Sequence, residues 1–263
     1  MESTNIKITN KIHPIIWFCI GILIWICVYI LFRLSITKIN YEDINFPPIN
    51  PKYLFPLISS IALIVTSIIA IVTSVNIKIA QPFLILGIGI TVIINHFSHS
   101  IFKEKIFLSF LISDLSIIIG AIFIGKLITD FVSQVSWIIP ITIVLIITDF
   151  WSVYYGLSAK LIQKEEIMKH FVTYYPTLGE KAPLPLLGMS DFIFLTLFLA
   201  LSHKFKFGIM KNILFMLLIL VLVFVLVFYM QSPTPVLPYL GITFVLIVVA
   251  ILLGISYLSG LNI

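Results

Sequence analysis

Runs of about 20 apolar residues recur along this chain, and a run of that length is what the hydrocarbon core of a bilayer demands of a helix. The first extends from His13 to Phe32 and stops at Arg33. The others are Leu54–Val75, Ala80–Phe97, Ile106–Gly125, Trp137–Tyr155, Leu184–Leu201, Ile209–Met230 and Val236–Leu258. The expected fold is therefore all-α, a polytopic transmembrane bundle of about eight helices. The first run exceeds the core of a cleavable signal peptide and lacks a small-residue cleavage site, so it reads as a membrane helix. Composition agrees: 60% of the 263 residues are hydrophobic and 10% are charged, against about 25% charged in a soluble domain. A soluble enzyme is excluded, and so is a disordered chain, which would be poor in apolar residues.

The net charge of +5 falls on loop lysines. No basic stripe interleaved with aromatics lies outside the apolar runs, so the expected surroundings are the lipid bilayer, with no nucleic-acid partner. Alternate loops carry Lys7, Lys11, Lys78, Lys126, Lys204, Lys206 and Lys211 on one side. Arg33, Lys38, Lys52, Lys103, Lys105, Lys160, Lys164, Lys169 and Lys181 fall on the other. Seven against nine leaves the orientation, and the identity of the membrane, open. Two polar connections stand out, Ser35–Lys52 and Gly156–Pro183. The first half of the latter reads as an amphipathic helix, and Pro176, Pro183 and Pro185 make its second half irregular. Cys19 and Cys27 share one apolar run and read as small core or lipid-facing residues. No internal repeat is visible.

Three carboxylates lie well inside apolar runs: Asp114, Asp149 and Asp191. Each costs about 2.5–3.5 kcal/mol at a helix centre on the insertion scale, so such residues face a bundle interior or a wet cavity. Asp149 follows Thr148 about a dozen residues after Trp137, near mid-membrane, with no basic residue close by in its run. Asp191 closes the string Gly188-Met189-Ser190-Asp191, and a helical reading puts Gly188 on its face, where another helix backbone could approach. A third feature is Pro235-Val236-Leu237-Pro238. Prolines there leave carbonyls unpaired, which suits either a helix start or backbone lining a cavity.

In this order and in consecutive runs, Thr148-Asp149, Gly188-Met189-Ser190-Asp191 and Pro235-Val236-Leu237-Pro238 resemble the presenilin and signal peptide peptidase family of intramembrane aspartyl proteases. The likeness extends from about Trp137 to the C-terminal end. Thr148 stands where the family has Tyr, Ser190 where it has its second Gly, and Val236 where it has Ala. The family has nine helices, one more than the runs counted here. The resemblance implies one integral membrane domain, with residues 1–126 as helical scaffold and 127–263 as the catalytic part. It implies Asp149 and Asp191 as the catalytic pair. Gly188, Ser190, Pro235, Val236, Leu237 and Pro238 would shape the substrate site, and the substrates would be transmembrane helices of other proteins. No cofactor and no metal is implied, and the oligomeric state, homo-oligomer included, is left open.

The chemistry is self-consistent. Two carboxyl groups close together in a poorly solvated site share a proton. The ionised one activates water, and the protonated one polarises the peptide carbonyl and protonates the leaving nitrogen. A helical substrate has no free amide, so it must unwind and find strand-like partners, near the proline motif or near Pro183 and Pro185. Asp114 matches no family motif and is expected to be structural. Two other functions use the same residues: an ion- or proton-coupled transporter relaying through the aspartates, and a prepilin-type aspartyl peptidase, which lacks the late proline motif. A protease-dead binding protein is a further alternative. His96 and His99 form a weak metal pair, Gly156-Leu157-Ser158-Ala159 lacks a partner histidine, and no phosphate-loop or dinucleotide fingerprint is present.

Overall fold

The computed structural model describes residues 14–36, 51–102, 105–154, 165–176, 184–214, 216–218 and 221. Some side chains within these elements, that of Asp149 among them, lie outside the description. Helix α1 spans Pro14–Ile36, α2 Pro51–Val75, α3 Gln81–Ile101, α4 Ile106–Phe131 and α5 Ile138–Tyr154. After a short helix α6, Glu165–Met168, come strands β1, Val172–Tyr175, and β2, Leu184–Gly188. Helix α7 follows at Met189–Lys204, and a further apolar helical stretch covers Ile209–Leu218. Seven of the eight expected runs thus contain helix. The eighth, Val236–Leu258, lies outside the described residues.

Proline sets several helix starts. Pro14 and Pro51 open α1 and α2, and Pro82 sits in the first turn of α3, where its missing N–H costs nothing. Among the described residues four helices are long and apolar enough to cross a membrane: Pro14–Ser35, Leu57–Val75, Gln81–Ile101 and Ile106–Phe131. The outer faces of α1 and α3 agree with that reading. Leu23, Leu31, Leu34, Phe83, Ile85, Ile93 and Ile101 are exposed along them, a surface that water would penalise and lipid does not. Cys19 and Cys27 are free and exposed on α1.

Helix α4 is the centre of the molecule, packed between α3 and α7. Its Ile117, Ile118, Ala121 and Ile122 join Leu63, Ile64, Ile68 and Ile71 of α2 in one core. Phe192, Leu195, Phe198 and Leu199 of α7 complete it. Lipid offers helices no hydrophobic drive to associate, so close approach over small residues carries the packing. Gly125 of α4 is such a point. A Cβ there would stand 2.7 Å from Thr196 Cβ and 2.8 Å from the Ile193 carbonyl oxygen of α7.

The structure corrects two expectations. Helix α4 does not stop at Gly125 but runs a further turn and a half to Phe131. Lys126 is tolerated there, 9% exposed, because its Nζ donates to the Ser74 and Ile77 carbonyls at 2.7 and 2.6 Å, capping the C-terminal end of α2. The run Leu184–Leu201 is not one helix, since its first five residues are strand β2. The described residues are mostly helical, in keeping with a helical bundle, and carry one small sheet in which β1 and β2 pair antiparallel, with Val172 opposite Gly188 and Tyr175 opposite Leu184.

Candidate active site

Asp191 stands in the first turn of α7, at the positive end of the helix dipole. Its Oδ2 accepts the Gly188 N–H at 3.0 Å. This is half of a reciprocal cap, since Gly188 has no side chain to return the bond. Gly188 is the last residue of β2 and the N-cap of α7, with extended φ −76° and ψ 156°. It is therefore not a helix-packing position. A Cβ there would meet only Asp191 Oδ2 and Ser190 Oγ, both at 3.4 Å. The close helix approach expected at Gly188 occurs at Gly125 instead. Ser190 is exposed.

Thr148, in the place of the family tyrosine, turns its hydroxyl onto its own helix, donating to the carbonyls of Val144 and Leu145 at 2.9 Å each. It stands beside Asp149 in α5 without sending a polar group elsewhere. The Asp149 side chain, and Pro235, Val236, Leu237 and Pro238 as a whole, lie outside the described residues.

The hairpin leading to Asp191 enters the bundle. Asp114 lies eight residues into α4, about 12 Å along its axis, and is fully buried. Its Oδ1 accepts the backbone N–H of Tyr174 at 2.8 Å. From α1, the Tyr29 hydroxyl donates to the Tyr174 carbonyl at 3.1 Å. Tyr174 lies opposite Pro185 in the sheet, and proline has no N–H to offer a neighbouring strand. Two side chains from helices thus complete the backbone of a strand residue. Irregular backbone at membrane depth is tolerated only when protein satisfies it in this way. Tyr29, Trp25 and Tyr175 pack around the same point, with ring centroids 5.0–6.2 Å apart. Thr173 Oγ1 donates to the Leu187 carbonyl at 3.0 Å, and the Met189 N–H to the Phe171 carbonyl at 2.7 Å, so the hairpin hands its geometry directly to the start of α7.

A histidine cluster anchors the other end of β1. Asn95 of α3 donates from Nδ2 to the His170 carbonyl at 3.0 Å, and its Oδ1 lies 3.2 Å from His170 Nδ1. The rings of His96 and His99 lie 5.7 and 5.2 Å from that of His170, and His99 Nδ1 is 2.7 Å from Ser109 Oγ. Among the described residues no three such groups are arranged to hold a metal ion. Burial, and then the charge of Lys169 and the neighbouring His96, lower the pKa of His170 below its ordinary value of 6.5. A cavity of about 230 Å³ opens beside the cluster, lined by Thr91, Asn95, Ser116, His170, Phe171 and Met189 among others. It reaches the residue two before Asp191.

Reading the sequence missed this anchor, because His170 lies 75 residues from Asn95. A signal was present in α3: Thr91, Asn95 and Ser98 are buried, and their spacing of four and three puts one polar stripe on a helix otherwise facing lipid.

No protein-family model matches the chain, and neither a curated protein nor a solved structure matches it.

Proposed function

We propose that the protein is an intramembrane aspartyl endopeptidase that hydrolyses peptide bonds within transmembrane segments, with Asp149 and Asp191 as its acid–base pair. The observation that carries this reading is the two-stranded sheet that ends on the Gly188–Asp191 turn. A sheet edge is a template for an extended chain. Strand addition is how a substrate whose helix has unwound could satisfy its backbone. The order of the aspartate and proline motifs in the sequence supports the same function. Asp114 is left out of the catalytic pair because it belongs to none of the three motifs and is fully buried, whereas Asp191 is only partly buried at the end of the sheet.

The test is cleavage of a labelled transmembrane peptide by the purified protein in bilayers, with and without a transition-state analogue of aspartyl proteases. Cleavage should be blocked by the analogue and should peak at intermediate pH, falling where the pair holds two protons or none. Proton-coupled uptake into sealed vesicles without any peptide cleavage would replace the protease with a transporter.

A further inference from the structure

The end of the bundle away from the hairpin holds a second cavity, of about 420 Å³. Its walls come from the first turns of α1 (Ile15, Phe18), the connection after α2 (Ile77–Ala80), the start of α3 (Phe83) and the last third of α4 (Ile122, Phe123, Lys126). The alternating directions of these four helices bring one terminal part of each to the same end of the bundle. The cavity lining is mostly apolar, and its two charged residues are Lys78 and Lys126.

Lys126 is held there rigidly. Two of its three N–H donors go to the Ser74 and Ile77 carbonyls, leaving one. Lys78 is exposed on the connection. The N-terminus of α3 opens at the same cavity, and its N-cap, Ala80, has no side chain to satisfy the first-turn amides. The carboxylate that acts on Lys126 is Asp130, one turn further along α4. Asp130 does not line the cavity. The formal charges among the lining residues are thus both positive, beside the apolar side chains of Ile15, Phe18, Phe83 and Phe123.

We propose that this cavity binds an anionic phospholipid, with the headgroup phosphate against Lys78 and Lys126 and an acyl chain along the apolar wall. Basic pockets between membrane helices take anionic headgroups for this reason. A zwitterionic headgroup would bring its own cation to the same two lysines and gain far less.

The experiment is native mass spectrometry of the purified full chain in detergent, titrated with phosphatidylglycerol and, separately, with phosphatidylcholine of the same acyl chains. Phosphatidylglycerol should be retained and phosphatidylcholine should exchange out. Lys78→Gln, at an exposed position, should lower phosphatidylglycerol retention about fivefold with unchanged thermal unfolding in lipid-free detergent. Ala80→Phe, which crowds the cavity, should lower retention of phosphatidylglycerol. Equal retention of the two lipids by the wild-type protein would overturn the proposal, as would a Lys78→Gln protein that holds phosphatidylglycerol undiminished. Displacement of the lipid by millimolar inorganic phosphate would show an anion site with no role for the chain, which also overturns it.

Discussion

The two strands of the hairpin are each held by one carboxylate, and the two grips differ. Under β1, Asp114 is fully buried and takes the Tyr174 N–H at 2.8 Å, with Tyr29 serving the carbonyl of the same residue. Under β2, Asp191 is only partly buried and takes the Gly188 N–H at 3.0 Å. The bond is the same in kind, but its setting is not. At Asp114 the surroundings are tyrosine rings and helix, closed to anything that diffuses. At Asp191 the carboxylate sits where a strand becomes a helix, next to a sheet edge and an exposed serine. An intramembrane aspartate is thus not read by its cost alone. The first strand is clamped so that the second can present its end.

The sharpest way to break that comparison is to remove each carboxylate in turn. Asp191→Ala and Asp149→Ala should each lower cleavage of a transmembrane peptide by about ten-thousandfold or more, because members of a catalytic unit fail together. Both proteins should still insert and fold. Asp114→Asn, which keeps an acceptor for the Tyr174 N–H, should retain most activity. If Asp114→Asn is as inactive as Asp191→Ala at matched expression, the two grips are not different in kind.

Stability should rank them the other way. Asp114→Ala leaves the Tyr174 N–H buried without its acceptor, a cost of about 1–3 kcal/mol, with lost packing added to it. Thermal unfolding in detergent should show this loss, and Asp114→Asn should recover much of it. An Asp114→Ala protein as stable as wild type would mean that the strand does not need the clamp.

Glycine substitutions sharpen the contrast at smaller scale. Gly125→Ala forces a methyl group onto Thr196 and the Ile193 carbonyl, and should destabilise the α4–α7 contact by about 1–3 kcal/mol. Gly188→Ala meets only ordinary contacts at 3.4 Å and should change unfolding by about 0.5 kcal/mol or less. The reverse order would restore Gly188 as a packing position.

The smallest effect is that of pH on the anchor of β1. The His170 pKa is lowered in the folded protein, so the folded state prefers the neutral ring. The stability this gives is present above the unfolded value of about 6.5 and is lost as pH falls from there through the lower folded value. The facing groups are Lys169, His96 and His99, so added proton charge meets no carboxylate among them. Hydrogen exchange at Val172–Tyr175 should quicken below about pH 6.5, and His170→Gln should flatten that dependence. Exchange that is independent of pH-driven opening in the wild type would remove His170 from the anchor.

Much of the scaffold was legible because a bilayer turns helix prediction into counting. The runs beginning near His13, Leu54, Ala80 and Ile106 became α1 to α4 with small shifts at their ends. Counting failed where a long-range bond changed the local outcome. Gly125 looked like an end because Lys126 follows it, yet the lysine is consumed by the Ser74 and Ile77 carbonyls, at and just past the end of α2, 52 and 49 residues earlier. Leu184–Leu201 looked like one helix because hydrophobicity does not distinguish a buried strand from a buried helix. Pro185 was read as part of an irregular stretch, whereas it lies in strand β2, and Tyr174 opposite it finds its partners in Asp114 and Tyr29. The Asp191 turn was legible as a motif, but the reason for its glycine was not, since only the strand before it makes Gly188 a cap.

Lys126 closes the end of α2, and Lys204, from the last turn of α7, closes the end of α4 by donating to the Thr129 carbonyl at 2.8 Å. Each cap belongs to a helix made later than the one it finishes. The Ser74 and Thr129 carbonyls already accept an N–H from their own turns, from Ile77 and Val132, so each lysine takes up a second lone pair. A chain halted before residue 189 would keep α4 as a helix but lack the bond that ties its end to α7.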